Sequence, residues 1–389
     1  MWEGLTMKPP ATQSVICFII TSMLVLAVSC TDLAVKYYNL GVEAASRNDL
    51  DEAIEMWEKS LEHRPDDPET RFNLGHALLE KKQYAEAEEQ FRMALELNPE
   101  DHASHWGLGK SLEMQGRLIE AKKSYERSIN LEPNFVSSFL GLASCTLKLG
   151  QHRSAENYAT RVLQLDPRNL EGNLILSEAH YRNGNYQAAY GQLLSVRNYY
   201  DSEPRLLLLL GKVTYARHMY TDALEALHAA KSAGLANYEV YLYIGHSSFA
   251  LNQFTEAEKY FRLSVFRNSK EPEAWKGLGE TYIKMSRWNE AEEAYSEAEK
   301  LAPKNPEIAL GKSLIYLNTG RHKEAVNTLE KIMQSADAPP RTRYYLGHAY
   351  LRIGETAKAR EAFEGFLSSW KGDTKLSEEV QKTLESLPR

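Results

Sequence analysis

The 389-residue chain carries a formal net charge of −7, and because its acidic and basic residues are interspersed without a basic run, a nucleic-acid-binding protein is not indicated. Only Cys145 among its three cysteines lies beyond residue 30, which excludes a disulfide framework in the rest of the chain. Length alone suggests two or three globular domains, an expectation that the internal repeats of this chain overrule.

The first predicted element is an uncharged apolar run at residues 14–30. Met7 is a plausible start, Lys8 supplies a positive charge before the run, and the small Ser29 precedes Cys30, as in a secretory signal peptide. The sequence Leu-Ala-Val-Ser-Cys that ends the run resembles the lipobox of bacterial lipoproteins. That resemblance implies cleavage before Cys30 and attachment of lipid to Cys30.

A lipidated Cys30 would attach the protein to the membrane of the cell envelope, facing the periplasm. Thr31, in place of an aspartate, favours the outer membrane. Two alternatives stay open: a cleaved signal without lipid, and an uncleaved signal anchor in the inner membrane, since ~17 residues is the lower limit for a membrane span. All three interpretations place the remaining chain outside the cytoplasm.

From residue 34 onward the sequence repeats with a period of 34 residues. Gly41, Gly75 and Gly109 share one register, which Gly211, Gly245, Gly279 and Gly347 resume. The ten units are 34–67, 68–101, 102–135, 136–169, 170–203, 204–237, 238–271, 272–305, 306–339 and 340–373. A period of this length is typical of stacked helical repeats.

The eighth unit shows the pattern most clearly, with Trp275, Leu278, Gly279, Tyr282, Ala291, Tyr295, Ala298 and Pro303. The apolar spacing predicts two helices per unit, and the small Gly279 and Ala291 predict a close approach of the two helix backbones. Asp67 and Asn305, each before Pro-Glu, are predicted N-caps. The prolines that close second helices are Pro65, Pro99, Pro133, Pro167 and Pro303.

These residues resemble the tetratricopeptide repeat, whose signature is Trp-x2-Leu-Gly-x2-Tyr followed by Ala, Phe, Ala and Pro. The resemblance covers nearly all of the chain after residue 33. It implies an all-α, right-handed superhelical solenoid of about ten helix-turn-helix repeats, closed by a capping helix at 374–389. Lys312 stands where the signature has leucine, so unit nine is expected to be irregular.

In the tetratricopeptide family the first helices line a concave groove, and positions 2, 5, 9, 12 and 13 of each repeat face it. The residues that the resemblance places there are Phe72, His76, Trp106, Lys110, Tyr181, Arg182, Lys212, Tyr215, His246 and Phe249. Positions 5 and 12 are mostly apolar, which favours an extended or helical protein segment as ligand. The alternative is that these side chains, the leucines above all, belong to the core between neighbouring first helices.

No catalytic signature is present, and no cofactor or metal is expected. His102 and His105 are three residues apart, but no carboxylate or thiol partner completes a metal site. The sequence therefore favours a non-enzymatic scaffold or assembly factor of the bacterial cell envelope, with a protein partner of unknown identity and no nucleic acid. The alternatives are an accessory protein that binds or exports exopolysaccharide, since aromatic residues also stack on glycans, and a regulator of a membrane enzyme.

Overall fold

The structure is a computed structural model and describes residues 33–387. Every regular element in that range is an α-helix, so the predicted all-α fold class is confirmed. The chain divides into two compact units, the first ending at Gln192 and the second beginning at Leu193. The predicted signal segment and Cys30 lie outside the described range, within which no helix is long and apolar enough to cross a membrane.

The helices follow one another with short connections. In the first unit they are α1 (residues 33–46), α2 (Leu50–His63), α3 (Pro68–Glu80), α4 (Tyr84–Leu97), α5 (His102–Met114), α6 (Leu118–Leu131), α7 (Val136–Lys148), α8 (His152–Leu165) and α9 (Leu170–Arg182). Helix α10 (Tyr186–Arg197) contains the boundary between the units. In the second unit they are α11 (Pro204–Ala216), α12 (Tyr220–Ser232), α13 (Tyr238–Ala250), α14 (Phe254–Arg267), α15 (Pro272–Lys284), α16 (Trp288–Leu301), α17 (Pro306–Asn318), α18 (His322–Met333), α19 (Thr342–Ile353), α20 (Thr356–Ser369) and α21 (Thr374–Ser386).

Within each unit the helices pack as successive hairpins, and neighbouring first helices also touch, as α5 touches α7 and α13 touches α15. The turn inside each hairpin places one residue in the left-handed region, at position 15 of the repeat. Glycine adopts this conformation without steric cost, and it stands in five of the turns, as at Gly116 with φ 79°. The other five turns use Asn48, Lys82, His218, Asn252 and Ser286.

In six repeats an aromatic ring at position 24, on the second helix, fills the space that glycines leave on first helices. Phe91 is fully buried, and a β-carbon built on Gly75 of its own repeat would lie 3.1 Å from the Phe91 ring. A β-carbon on Gly107 of the next repeat would lie 2.4 Å from the same ring. The signature glycine therefore leaves room for the ring of a second helix.

Gly107→Ala should destabilise the protein by about 2 kcal/mol, because the added methyl group overlaps the buried Phe91 ring. Gly191→Ala is the matched control, since Gly191 lies within α10 and a β-carbon there meets nothing within 4 Å. The control should be neutral or stabilising by up to about 1 kcal/mol, since alanine favours helix. Urea denaturation followed by circular dichroism gives the free energy of unfolding of both variants. Equal changes in Gly107→Ala and Gly191→Ala would contradict this account of the glycines.

The predicted helix ends are partly confirmed. Helix α16 ends at Leu301, two residues before Pro303, and the Asn305 side chain caps α17 by accepting from the Glu307 amide at 2.9 Å. Asp67 is the N-cap residue of α3, as predicted, but its side chain makes no capping hydrogen bond. The Asp67 carboxylate instead accepts from the Thr70 hydroxyl at 2.5 Å, which draws it away from the backbone amides.

Ion pairs recur between successive repeats, joining an arginine at position 16 to a glutamate at position 21 of the preceding repeat. The Arg–Glu distances are 2.8 Å for Arg117–Glu88, 2.7 Å for Arg287–Glu258 and 2.6 Å for Arg321–Glu292. The arginines are about one-third exposed, so each pair contributes at most about 1 kcal/mol. Their contribution is to fix the orientation of one hairpin on the next.

Unit nine contains a hairpin of α17 and α18, and its irregular part is confined to its last residues, 334–339. The Lys312 ammonium donates to Glu299 of the preceding repeat at 2.6 Å, so its charge is compensated. The irregular segment comes after α18, where residues 334–341 form a longer connection to α19. At the C-terminal end, the apolar stripe of α21 packs on the last hairpin, with Val380 fully buried.

Candidate partner-binding surface

The first-helix surface consists of the side chains at positions 2, 5, 9, 12 and 13 of the repeats. In the first unit its aromatic residues form a continuous row. The Phe72 ring lies edge-on to the buried Phe91 ring at 5.9 Å, and the His76 ring lies 6.4 Å from Phe72 and 6.2 Å from Trp106. Trp106 in turn meets Phe135 edge-on at 6.3 Å. These side chains are half-buried, so one side packs on the core while the other remains accessible.

A pocket of about 310 Å³ opens on this surface of the first unit. Trp106 and Lys110 on α5 form one wall, Leu140 on α7 forms another, and Ile175 on α9 lies at the far end. The remaining lining residues are Glu113, Tyr125, Ser137, Gly141, Ser144 and Glu171. Two of the predicted groove residues of this unit, Trp106 and Lys110, therefore meet at one concave site.

Glu113 is the buried carboxylate of this pocket. It accepts hydrogen bonds from the Tyr125 hydroxyl at 2.9 Å, the Ser144 hydroxyl at 2.7 Å and the Lys148 ammonium at 2.8 Å, and the Lys110 ammonium lies 3.6 Å away. Burial raises the pKa of Glu113, but the bond from Lys148, the charge of Lys110 and the bond from Ser144 outweigh it and lower the pKa. Glu113 is thus an ionised carboxylate with all its charge compensated.

Tyr181 and Arg182 lie at the end of α9 and do not line this pocket. The Tyr181 ring packs against Tyr186 at 5.6 Å, and the Arg182 guanidinium donates to Glu178 at 2.6 Å, one turn earlier on the same helix. Arg182 is exposed and Tyr181 half-buried. Both residues extend the first-helix surface of the first unit beyond the pocket.

In the second unit, Tyr215 and His246 form a tight aromatic cluster. The Tyr215 ring lies 5.7 Å from His246 and 5.8 Å from Tyr243, and His246 meets the buried Phe261 edge-on at 5.0 Å. Lys212 is buried beside this cluster, where its ammonium donates to Glu239 at 2.8 Å. The charge of Lys212 is therefore used in linking two successive repeats.

The aromatic rings around the half-buried His246 remove much of its hydration, and this desolvation lowers the pKa of its imidazole to about 4. The charges of Glu273 and Lys276 act in opposite directions on it, Glu273 raising the pKa and Lys276 lowering it. His246 is consequently neutral at physiological pH and presents an uncharged ring to the first-helix surface.

The low pKa of His246 should lower the free energy of unfolding by about 2 kcal/mol as the pH falls from 6.5 to 4. The imidazole takes up a proton in the unfolded chain near pH 6.5 but in the folded protein only near pH 4, so acidification favours unfolding over that interval. Urea midpoints at pH 7 and pH 5 measure the effect for wild type and His246→Gln. The variant should lose less stability between these pH values, and an identical loss in both proteins would contradict the assignment.

A second pocket, of about 440 Å³, opens on the first-helix surface of the second unit. Its apolar lining comes from Phe249, Ile283 and Leu314 on three successive first helices. The other lining residues are Glu280, Lys284, Tyr295, Glu307, Leu310, Gly311, Asn318, Arg341 and Tyr345. Phe249 is the one residue of this unit, among the ten groove residues named from the sequence, that lines it. Glu280 and Glu307 occupy positions 9 and 2 of their repeats, which the resemblance also assigns to the groove.

His102 and His105, whose spacing could suit a metal ion, contact other groups. The His102 ring packs edge-on against Phe135 at 4.9 Å, and the His105 Nε2 lies 3.0 Å from the Pro99 carbonyl oxygen. Within the described range, no group of three or more metal-ligating side chains comes together.

Profiles of known families match several parts of the chain. Two profiles, each described as "Tetratricopeptide repeat", match residues 44–112 and 282–341 in one case and residues 102–135 in the other. A third, described as "Anaphase-promoting complex, cyclosome, subunit 3", matches residues 148–230. No curated protein is significantly similar to the chain in sequence.

Solved structures share this arrangement of helices at low sequence identity. A tetratricopeptide repeat protein from Parabacteroides merdae is 13% identical, with a TM-score of 0.52 over 64% of this chain and 99% of its own. The APC/C hetero-tetramer Cut9–Hcn1 contains a chain that is 12% identical, with a TM-score of 0.53 over 94% of this chain and 93% of that one. The repeat profiles over residues 44–135 and 282–341 and the hairpins with their ring-on-glycine packing support a tetratricopeptide-repeat protein, and the solved structures share its fold.

Proposed function

We propose that this protein is a non-enzymatic scaffold of the bacterial cell envelope, which binds a segment of a partner protein on its first-helix surface. The observation that carries the proposal is the half-burial of the aromatic side chains on that surface, in both units. Three position-5 leucines, Leu174, Leu242 and Leu310, are buried and belong to the core. A side chain that served the core alone would be covered on all sides. Here Phe72, Trp106 and Phe249 are held in place by the core and still offer an accessible apolar side.

The pocket of each unit suits the side chains of an extended or helical protein segment. Apolar walls with a few polar groups are typical of peptide-binding grooves, where the walls supply affinity and the polar groups set the register. Preformed aromatic rings such as Trp106 lose little conformational freedom on binding and are frequent energetic centres of protein interfaces. The similar fold of Cut9–Hcn1, which is a complex of proteins by its description, agrees with this proposal.

A photo-crosslinking amino acid at position 110 tests the proposal in the native cell, because Lys110 lines the pocket of the first unit. Position 123 is the matched control, since Lys123 is exposed on the second helix of the same repeat. We expect one protein partner to be crosslinked from position 110, identified by mass spectrometry, and lost when Trp106→Ala is added. Equal labelling from both positions, or a crosslink to glycan alone, would contradict a protein-binding surface.

The envelope location rests on the lipobox-like end of the N-terminal segment, and we propose that Cys30 carries the lipid anchor. Metabolic labelling with a fatty-acid probe should mark the wild-type protein and leave Cys30→Ala unlabelled. Separation of the inner and outer membranes then shows which of the two contains the protein. Wild-type protein without label would contradict lipidation and leave a signal anchor or a soluble secreted form.

A further inference from the structure

We propose that the pocket of the second unit binds a lysine or arginine side chain of the partner protein. Its cationic end would lie against Glu280 and Glu307, and its aliphatic part would lie on Ile283 and Leu314. This inference rests on the proposed function, since it names the chemistry by which one of the two pockets recognises the partner segment.

The acids of this pocket carry the argument. Glu280 is half-buried inside it and Glu307 stands at its edge. Between residues 33 and 387, neither carboxylate has a hydrogen-bond or ion-pair partner. The partly buried Glu280 carboxylate loses solvation, and without a hydrogen-bond or ion-pair partner it regains only part of that loss from more distant charges. A cation that enters the pocket would supply the missing partner.

The equivalent position in the pocket of the first unit shows how this fold compensates the charge of a buried carboxylate. Tyr125 and Tyr295 occupy the same repeat position, 24, in repeats three and eight. The Tyr125 hydroxyl donates to Glu113, which also receives hydrogen bonds from Ser144 and Lys148. Repeat eight has Ile283 at the position of Glu113, and the nearby acids of the second pocket lack such donors.

The charges around Glu280 leave the second pocket short of positive charge. Burial raises the pKa of Glu280, the charges of Glu273 and Glu307 raise it further, and the charges of Lys276 and Lys284 offset this only in part. Lys276 is already paired with Glu273 at 2.7 Å. This is the opposite of Glu113, whose neighbouring donors hold its pKa below the usual range.

The cations at the edge of the pocket do not fill it. The Arg341 guanidinium lies over the Trp370 ring, 5.8 Å from its centre, and Lys284 is exposed. The apolar lining by Phe249, Ile283 and Leu314 is suited to a chain of methylene groups that ends in a charge. Lysine and arginine are the protein side chains with that combination, and a small hydrated metal ion would not use the apolar walls.

The smallest probe of this chemistry is n-pentylammonium, which reproduces a lysine side chain, compared with n-pentanol and n-pentanoate. Titration of the full chain is followed by methyl NMR at Ile283 and Leu314. We expect the ammonium to bind about tenfold more tightly than the alcohol, with pentanoate weakest. The preference should disappear in Glu280→Gln/Glu307→Gln and persist in Glu293→Gln/Glu364→Gln, which removes two exposed acids elsewhere on α16 and α20.

Equal binding of ammonium and alcohol, tighter binding of pentanoate, or a preference that survives Glu280→Gln/Glu307→Gln would overturn the inference. A second readout needs no ligand: Glu280→Gln should raise the melting temperature, because it removes an uncompensated charge. A fall would show that the carboxylate is satisfied within the protein and would equally overturn the inference. Neither measurement involves the partner, so a failed crosslinking experiment is distinguishable from a failure here.

Discussion

Phe261→Ala should destabilise the second unit by about 3–5 kcal/mol, the usual cost of replacing a fully buried phenylalanine by alanine. The Phe261 ring is completely buried and lies between Gly245 and Gly277, where built β-carbons would approach it to 2.7 and 2.5 Å. Neither glycine has a side chain that could move into the space left by the ring. The cavity would therefore remain, and both adjacent repeats would lose their contact.

Phe266→Ala is the matched control, because Phe266 lies on the same helix, α14, and is 80% exposed. Its replacement should change stability by less than about 0.5 kcal/mol. Since repeat arrays often unfold in steps, hydrogen exchange of the amides in α13–α16 is the appropriate measurement. Similar losses of protection in the two variants would show that the ring does not join the repeats.

Glu113→Gln should destabilise the first unit by about 2 kcal/mol at pH 7, the usual contribution of hydrogen bonds to a charged group. The change leaves the Lys148 ammonium without its 2.8 Å carboxylate partner and weakens the bonds from Tyr125 and Ser144. The effect has a defined pH dependence. Because the folded-state pKa of Glu113 lies below its usual value of 4.5, its stabilisation is complete above that value and is lost as the pH falls through the folded-state pKa.

Urea denaturation of wild type and Glu113→Gln at pH 7 and at pH 3.5 measures the destabilisation and its pH dependence. The difference in free energy of unfolding between the two proteins should be smaller at pH 3.5. Glu280→Gln is the informative comparison, since the same change of an acid to an amide is expected to stabilise the second unit. A destabilisation of equal size in both variants would mean that the two carboxylates have the same environment, contrary to their contacts.

The architecture could be predicted because its signals are local and recur. Each repeat carries its own apolar spacing and its own left-handed turn, and six repeats have a small residue opposite a ring, so ten copies of one weak pattern support one another. The same reasoning placed Phe72, Trp106 and Phe249 on the first-helix surface. Side-chain contacts were less predictable than helix ends: Asp67 is the N-cap residue of α3, but its carboxylate binds the Thr70 hydroxyl and not a backbone amide.

The sequence by itself determined the period, the helical hairpins and the face that the first helices present, since these follow from residues within one repeat. Only the tertiary structure decided which charges are compensated. Glu113 obtains Ser144 and Lys148 from the next repeat, 31 and 35 residues away, while Glu280 lies among acids and an already paired lysine. Electrostatic energy depends on distance and burial in space, and two glutamates that look alike in the chain therefore differ in what they can bind.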